Sequence, residues 1–229
     1  MAYSKLPNKK DLILFHFGAL LASLSSFTMV TFYVALLMVY NVQLFISIKL
    51  VQGEKFRFFQ INKGHIIPLI LVAAVLFEPL RRVISNSDLN LGGKNGFYQD
   101  TVHSLIFNVF HGASMPAEIF LLFQFLFTVV VLIPLVLILV KIYQKQTTFF
   151  TEQRALITST LLMILIPVII IMQHIILKSD YPISRFSVFL VPLFIIQFGF
   201  LINYLSDTEF KKTSIIIMVG LSLVSAISF

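Results

Sequence analysis

The chain has 229 residues, of which 58% are hydrophobic and only 12% are charged, and its mean hydropathy is +0.95. A soluble domain usually carries about 25% charged residues, so this composition excludes an ordinary soluble protein and indicates an integral membrane protein. The formal net charge of +7 does not indicate nucleic-acid binding, because no basic stripe is interleaved with exposed aromatic residues. The sequence has no cysteine, which excludes disulfides, thiolate catalysis and cysteine metal sites.

Apolar segments recur along the chain at about the 20-residue length that a membrane-spanning helix needs. In chain order they predict seven spans, at about residues 12–24, 29–48, 66–80, 117–142, 155–177, 186–205 and 214–229. The first span follows a basic N-terminus without a convincing small-x-small cleavage site, so we interpret it as a retained helix rather than a signal peptide. The predicted fold class is all-α, a polytopic bundle of about seven spans.

The distribution of lysine and arginine predicts the orientation of these spans. With the N-terminus inside, twelve of the 17 Lys and Arg residues fall in inside segments and five fall outside, as the positive-inside rule requires. We expect a multi-pass protein of the bacterial cytoplasmic (inner) membrane. The first span is short and the last ends in apolar sequence, so residues 1–229 are expected to form one transmembrane domain of a larger polytopic protein, with an N-terminal segment missing.

The longest polar connection, residues 81–116, is predicted to lie outside. Turn-forming residues fill its first part, "NSDLNLGGKNGF". Helical spacing follows in "DTVHSLIFNVFHG", with Asp100 as the predicted N-cap and Gly112 as the terminator. This pattern predicts a short amphipathic interfacial helix with an apolar face formed by Val102, Leu105, Ile106, Val109 and Phe110. The polar face, which either lines a site or is simply solvated, holds Thr101, His103, Ser104, Asn108 and His111.

A metal site is not predicted on this helix, because His103 and His111 are eight residues apart without a carboxylate at a matching step. Charged residues at the predicted outer edge of the membrane are stronger functional candidates, since polar groups beside spans are costly. Glu78 precedes Arg81 and Arg82 at i, i+3 and i, i+4 spacing, so these three residues are candidates for simple ion pairing.

The predicted turn between the fifth and sixth spans, "QHIILKSDYPISRF", is the most polar point of the later chain. Arg185 fits either bidentate phosphate binding or snorkelling to lipid headgroups, and Lys178 is the next candidate cation. His174, Asp180 and Tyr181 share this turn. His16 lies in the middle of the first span, where we expect a hydrogen bond to a neighbouring helix. A proton relay is the alternative for His16, although the sequence shows no partner acid.

Three segments of the chain resemble a known family when they are taken in order: "LASLSSFTMVTFYVALLMVY", "FEPLRRVISNSDLNLGGKNGFYQDTVHSLI" and "YPISRFSVFLVPLFIIQFGFLINYL". Together they look like the later membrane half of bacterial GT-C-type glycosyltransferases, nearest to the family-39-like integral membrane proteins with an RgtA/B/C/D-like domain. The resemblance implies transfer of a sugar from a polyprenyl-phosphate lipid donor to an acceptor on the outer face.

The resemblance also implies roles for particular residues. Arg185 and Lys178, with His174 and Tyr181, would face the carrier phosphate, whose departure needs cations of the protein or a divalent metal. The loop around Gly92 to His103 would shape the acceptor side, with Asp100 as its best acid, and Arg81 and Arg82 are weaker phosphate candidates. The family's catalytic acid usually lies in the first outer loop, whereas the corresponding "SLSSFTMVT" contains no Asp or Glu.

Two other functions fit the same sequence. A transporter or lipid flippase subunit would use the outer charges without breaking a bond, and internal repeats with interrupted helices would favour it. A membrane assembly subunit would need no site at all. In each case the expected partners include membrane lipids and exclude nucleic acid.

Overall fold

The computed structural model describes residues 9–25, 28–51, 58–85, 92–109, 116–183 and 189–206. Within these ranges the chain forms eight α-helices: α1 (Lys9–Ser25), α2 (Thr28–Phe45), α3 (Phe58–Ser85), α4 (His103–Val109), α5 (Ala117–Tyr143), α6 (Thr147–Glu152), α7 (Arg154–Leu177) and α8 (Leu190–Ser206). A π-helical turn, Ile46–Val51, continues α2, and another, Phe97–Val102, precedes α4. The predicted all-α class is confirmed for the described residues.

Three of the described helical segments are long and apolar enough to cross a membrane: Met29–Lys49, Ala117–Tyr143 and Arg154–Leu177. Two shorter helical segments, Ile13–Leu24 and Leu190–Ser206, are also apolar, and the predicted third span falls within the 28-residue α3. Helices therefore occur at each of the first six predicted spans, and three of them have spanning length and composition. The predicted last span, 214–229, lies outside the described residues.

The chain divides into two compact units, the first comprising Met1–Gly92 with Leu165–Asp180 and the second Gly93–Ile164 with Tyr181–Phe229. In the first unit α1 packs against both α2 and α3. Tyr33, Val72 and Leu76 form a buried cluster there. Partly buried side chains from α1 and α2 surround this cluster: Ala19, Leu20, Val30 and Leu37. The first unit therefore has a three-helix core that holds a tyrosine among aliphatic side chains.

In the second unit α5 packs against α8, and α4 packs against α5. The rings of Phe127 and Phe194 stack with centroids 5.3 Å apart, and Phe149 meets Tyr204 edge to face at 5.8 Å. Such aromatic pairs add about 0.5–1.5 kcal/mol beyond the area that they bury. Pro134 is buried inside α5, in keeping with the tolerance of membrane helices for proline.

Two lysines occupy left-handed backbone conformations just after helix ends, Lys145 with φ 53° and Lys178 with φ 55°. After α5 the amide of Gln146 bonds the carbonyl of Lys141 at 3.1 Å, and the amide of Lys145 bonds the carbonyl of Ile142 at 3.0 Å. These are the two bonds of a Schellman motif, whose left-handed position is usually glycine. The α5 terminus thus places a lysine where the backbone favours a residue without a Cβ atom.

Candidate functional site

The predicted outer helix begins earlier than its sequence pattern suggested. Its first turn is the π-helical segment Phe97–Val102, and Gly96 with φ 148° is the N-cap residue. The prediction that Asp100 is the N-cap is therefore wrong, because Asp100 lies inside the helix. The physical reason is that its carboxylate reaches back toward the preceding turn, as the acidic residue of a capping box does.

Asp100 closes the turn that precedes this helix. One carboxylate oxygen accepts hydrogen bonds from the amides of Asn95, at 2.7 Å, and Gly96, at 3.0 Å. The other oxygen accepts from Asn95 Nδ2 at 3.2 Å. Three donors thus converge on one carboxylate, and bonds to a charged acceptor are the strong ones among protein hydrogen bonds. Asp100 therefore has a structural role in this turn, and its role in substrate binding stays a prediction.

The apolar face predicted for the outer helix is confirmed where it is described, because Val102, Leu105 and Ile106 are all buried. Thr101 departs from its predicted place on the polar face: it is 0% exposed, and its hydroxyl has no hydrogen-bond partner. The early start of the helix turns Thr101 inward beside Val102. The predicted polar-face residue His111, the apolar-face Phe110 and the terminator Gly112 lie outside the described residues.

His103 and Tyr98 join the outer segment to α5. The exposed His103 places its ring 4.3 Å from the ring of Phe120. The hydroxyl of Tyr98 donates to the carbonyl of Gln124 at 2.8 Å and lies 3.0 Å from the hydroxyl oxygen of Thr128. The segment is therefore anchored on a long apolar helix, which explains how a polar connection keeps a defined structure.

Tyr181 and Asp100 both lie next to Gly93. Tyr181 is buried, and its backbone exchanges two hydrogen bonds with Gly93, at 2.8 and 3.0 Å. A Cβ atom on Gly93 would overlap the carboxylate of Asp100. The structure thus brings two of the predicted site residues of the second unit next to the same glycine.

In the first unit, the turn after α7 orders two other predicted site residues. His174 Nδ1–H donates to the carbonyl of Ser179 at 2.6 Å, and Asp180 Oδ2 accepts from the amide of Gly92 at 3.1 Å. Lys178 lies between these bonds, exposed and in its left-handed conformation. Arg185, the first candidate from the sequence, lies outside the described residues.

Arg81 and Arg82 both bond to Glu78, as their spacing predicted. Nε of each arginine lies 3.0 Å from a carboxylate oxygen of Glu78, and a second nitrogen of Arg81 bonds at 3.2 Å. Glu78 lies near the end of the predicted third span, and its carboxylate accepts hydrogen bonds from both arginines. These arginines therefore have an anionic partner within their own helix.

The first unit contains a buried polar cluster, of which only His16 was predicted from the sequence. His16 Nδ1 lies 2.5 Å from the hydroxyl oxygen of Tyr33, and His16 Nε2 lies 3.0 Å from His65 Nδ1. These three residues, which we call the histidine–tyrosine chain, come from α1, α2 and α3 and are each less than one-tenth exposed. The predicted bond from His16 to a neighbouring helix is confirmed. Tyr33 and His65 were missed, although a histidine within an apolar helix is itself a signal.

Metal binding has no ready-made geometry in the described part of the chain. No group of three or more His, Cys, Asp or Glu side chains comes together there in a way that could hold an ion. Lys178 is an exposed cation in the predicted turn.

Together these features indicate a membrane protein whose described residues form helices, with an ordered polar segment and a buried histidine–tyrosine chain. No protein-family model, curated protein or solved structure matches it. The resemblance to glycosyltransferases therefore rests on the sequence segments alone, and the choice of function rests on the residues described above.

Proposed function

We propose that this chain is the lipid-binding part of a membrane glycosyltransferase that moves a sugar from a polyprenyl-phosphate carrier to an acceptor on the outer face of the bacterial cytoplasmic membrane. The observation that carries the proposal is the turn after α7, where Lys178 is exposed at the end of an apolar helix. A lysine in that position can meet the anionic headgroup of a lipid whose chain lies along the helix.

The fixed geometry of this turn supports the proposal. Lys178 follows α7 in a left-handed conformation, and the bond from His174 to the carbonyl of Ser179 holds the next residue. Asp180 is held in turn by its bond to the amide of Gly92. An ammonium on an ordered backbone loses less conformational entropy on binding than one on a free loop. Backbone strain of this kind is often found at ligand clamps.

Three of the described acidic residues have hydrogen-bond partners within the protein, which bears on whether they could act as the catalytic base. Glycosyl transfer needs a carboxylate that deprotonates the acceptor hydroxyl. Asp100 is engaged by Asn95 and Gly96, Glu78 by two arginines and Asp180 by Gly92. We therefore assign headgroup binding to Lys178 and assign none of these three acids as the catalytic base.

A transporter or lipid flippase subunit is the second candidate function, and the same engagement of the acids favours it. Such a protein would bind the same phosphate headgroup through Lys178 and move the lipid without breaking a bond. The two functions share a ligand and differ in whether the sugar leaves its carrier, so one set of variants tests both.

Binding of polyprenyl monophosphate to the purified chain in nanodiscs tests the shared step. Lys178→Ala is expected to weaken binding about fivefold, since one lysine near a membrane surface contributes about 1 kcal/mol. Lys145→Ala is the matched control, because Lys145 has the same side chain and nearly the same φ after another helix. Polyprenol without phosphate should bind both variants equally. Equal loss in the two variants, or no loss in either, would reject Lys178 as the phosphate ligand.

Sugar transfer in native membranes separates the two functions. With a radiolabelled polyprenyl-phosphate sugar as donor, the glycosyltransferase proposal expects a labelled acceptor whose formation falls in Lys178→Ala and persists in Lys145→Ala. Movement of the intact labelled lipid between leaflets, without a labelled acceptor, would instead establish the transporter or flippase. Transfer that is unchanged in Lys178→Ala would contradict the first proposal.

A further inference from the structure

The histidine–tyrosine chain has features that a simple structural role does not require. His16, Tyr33 and His65 lie on α1, α2 and α3, and all three are buried. Ionisable groups inside membrane helices are costly and commonly mark proton or ion pathways. The imidazole of His16 bonds to the Tyr33 hydroxyl through Nδ1 and to His65 through Nε2. Hydrogen bonds therefore connect all three residues.

The heavy-atom positions fit two opposite arrangements of the protons. In one, the Tyr33 hydroxyl donates to His16 Nδ1, His16 Nε2–H donates to His65 Nδ1, and His65 carries its proton on Nε2. In the other, His65 Nδ1–H donates to His16 Nε2, and His16 Nδ1–H donates to the Tyr33 oxygen. Every residue is neutral in both arrangements, because a neutral imidazole has one donor and one acceptor nitrogen.

The contacts of the histidine–tyrosine chain lie at two levels along the axis of α2. Tyr33 and Tyr40 are seven residues apart on α2, about 10 Å along the axis at 1.5 Å per residue. The ring of Tyr40 meets the ring of His65 at 5.0 Å, whereas Tyr33 bonds to His16. The two imidazoles therefore lie between these levels of α2.

Ser23 is a further buried polar residue of α1. Ser23 is two helical turns beyond His16 in sequence, and its hydroxyl is buried without a hydrogen-bond partner. Buried hydroxyls are normally bonded, often to an ordered water. The hydroxyl of Ser23 is therefore a second buried polar group on α1, in the same unit as the three residues.

Two other hydrogen bonds join helices through amide and hydroxyl groups and serve as a comparison. Thr31 Oγ1 donates to Gln173 Oε1 at 3.1 Å, and Gln197 Nε2 donates to Thr160 Oγ1 at 2.9 Å. Amide and hydroxyl groups of this kind join membrane helices without exchanging protons at ordinary pH. The histidine–tyrosine chain differs because a neutral imidazole has one donor and one acceptor nitrogen, so it can accept a proton on one side and release one on the other.

We propose that Tyr33, His16 and His65 form a proton-transfer chain along the axis of the first unit. A proton arriving at the Tyr33 oxygen releases the original hydroxyl proton to His16 Nδ1. His16 then passes its Nε2 proton to His65 Nδ1, and His65 releases its Nε2 proton. One proton enters and one leaves, every residue ends neutral, and the hydrogen bonds have reversed. Reorientation of the Tyr33 hydroxyl and of each imidazole, so that its N–H again faces the next residue, restores the first arrangement without sending the transferred proton back.

This inference goes beyond the proposed function and does not depend on it, since no phosphate ligand or sugar enters the argument. Proton flux into liposomes that contain the purified full chain and a pH-sensitive dye tests it, with a potassium diffusion potential as the driving force. We expect wild-type flux well above that of protein-free liposomes and at least a tenfold loss in Tyr33→Phe, which removes only the bridging hydroxyl.

Tyr40→Phe is the matched control, because it removes a tyrosine hydroxyl from the same helix while keeping the ring beside His65. Its flux should equal that of the wild type. Wild-type flux no greater than that of protein-free liposomes would overturn the proposal, as would equal flux in Tyr33→Phe and wild type. Size-exclusion profiles show whether each variant is folded.

Nitrogen NMR of ¹⁵N-histidine-labelled wild-type protein decides the matter if Tyr33→Phe does not fold. A proton-transfer chain predicts coupling across the bond between His16 Nε2 and His65 Nδ1, with ring nitrogens that average between two tautomers. One fixed tautomer on each imidazole, without exchange, would show that the bonds only attach the helices and would overturn the proposal.

Discussion

Gly93 lies so close to Asp100 that a Cβ atom at Gly93 would overlap the carboxylate carbon and one of its oxygens. The same carboxylate accepts hydrogen bonds from Asn95 and Gly96, so it cannot swing away without losing them. The turn therefore requires glycine at position 93 for reasons of space. At Gly96, where φ is 148°, glycine is required by backbone conformation.

Gly93→Ala should destabilise the protein, by about 1–3 kcal/mol if it behaves as other overpacked sites do. Gly18→Ala is the matched control, because nothing lies within 4 Å of a Cβ atom at Gly18. Gly18 is inside α1, where alanine is favoured over glycine by about 0.5–1 kcal/mol. Unfolding in one detergent should therefore shift in opposite directions for these variants, and a shift of the same sign would refute the steric account of Gly93.

Asp100→Asn should loosen the turn without weakening phosphate-lipid binding. The change removes the charge from an acceptor of three hydrogen bonds, and bonds to charged groups contribute about 1.5–3 kcal/mol each at most. Hydrogen exchange should accelerate at the amides of Asn95 and Gly96, while polyprenyl monophosphate binding stays within twofold of the wild type. Unchanged exchange with lost binding would place Asp100 at the ligand instead.

Gln197 tests the buried polar contact between α7 and α8. It accepts a hydrogen bond from Ser159 and donates one to Thr160, while both hydroxyls also bond the carbonyl of Leu156. Gln197→Leu should therefore cost only about 1 kcal/mol, near the average for polar contacts between membrane helices. Gln197→Ala should cost more, because it also leaves a cavity. The reverse order in denaturant unfolding would indicate that the amide bonds matter more than the packing.

Lys145→Gly should stabilise the end of α5. A residue with a Cβ atom loses roughly 1–2 kcal/mol in the left-handed conformation, and the greater chain entropy of unfolded glycine offsets part of the gain. A net increase of up to about 1 kcal/mol in unfolding free energy is expected. Gln144→Gly is the control, since Gln144 has φ −73° and should lose stability. A loss in both variants would show that the lysine side chain contributes more than its backbone strain costs.

Much of the fold could be predicted because apolar length and charge are local properties of sequence. The helix at Ala117–Tyr143 agrees with the predicted span to within one residue at either end. The sixth span was predicted to start at about residue 186, which lies outside the described residues. Helix existence was thus predictable, whereas the particular partners of each helix were not.

The histidine–tyrosine chain shows why those partners escaped prediction. His16 and His65 are 49 residues apart, and their contact depends on how α1 and α3 are rotated about their axes. Membrane helices are apolar on nearly every face, so a single sequence gives little indication of that rotation. His16 could be identified as a polar residue in need of a partner, but which partner it finds is decided by packing.

The contacts of the predicted site residues could be anticipated only in part, for a related reason. The pairing of Arg81 with Glu78 follows from positions on one helix, and it is confirmed. The role of Asp100 depends on where its helix begins, and helix ends are the least certain part of a sequence prediction. Lys178 offered no conformational signal at all, because left-handed positions are recognised in sequence mainly by glycine or asparagine.

The surface of α3 has a consequence for every measurement on this protein. Ile67, Ile70 and Leu71 are each at least 60% exposed, so about one side of the helix has no protein neighbour among the described residues. In water such a surface drives self-association, whereas acyl chains cover it at little cost. The surrounding lipid or detergent therefore covers this side of α3 in place of protein. The length of its acyl chains should affect the stability that is measured for any variant.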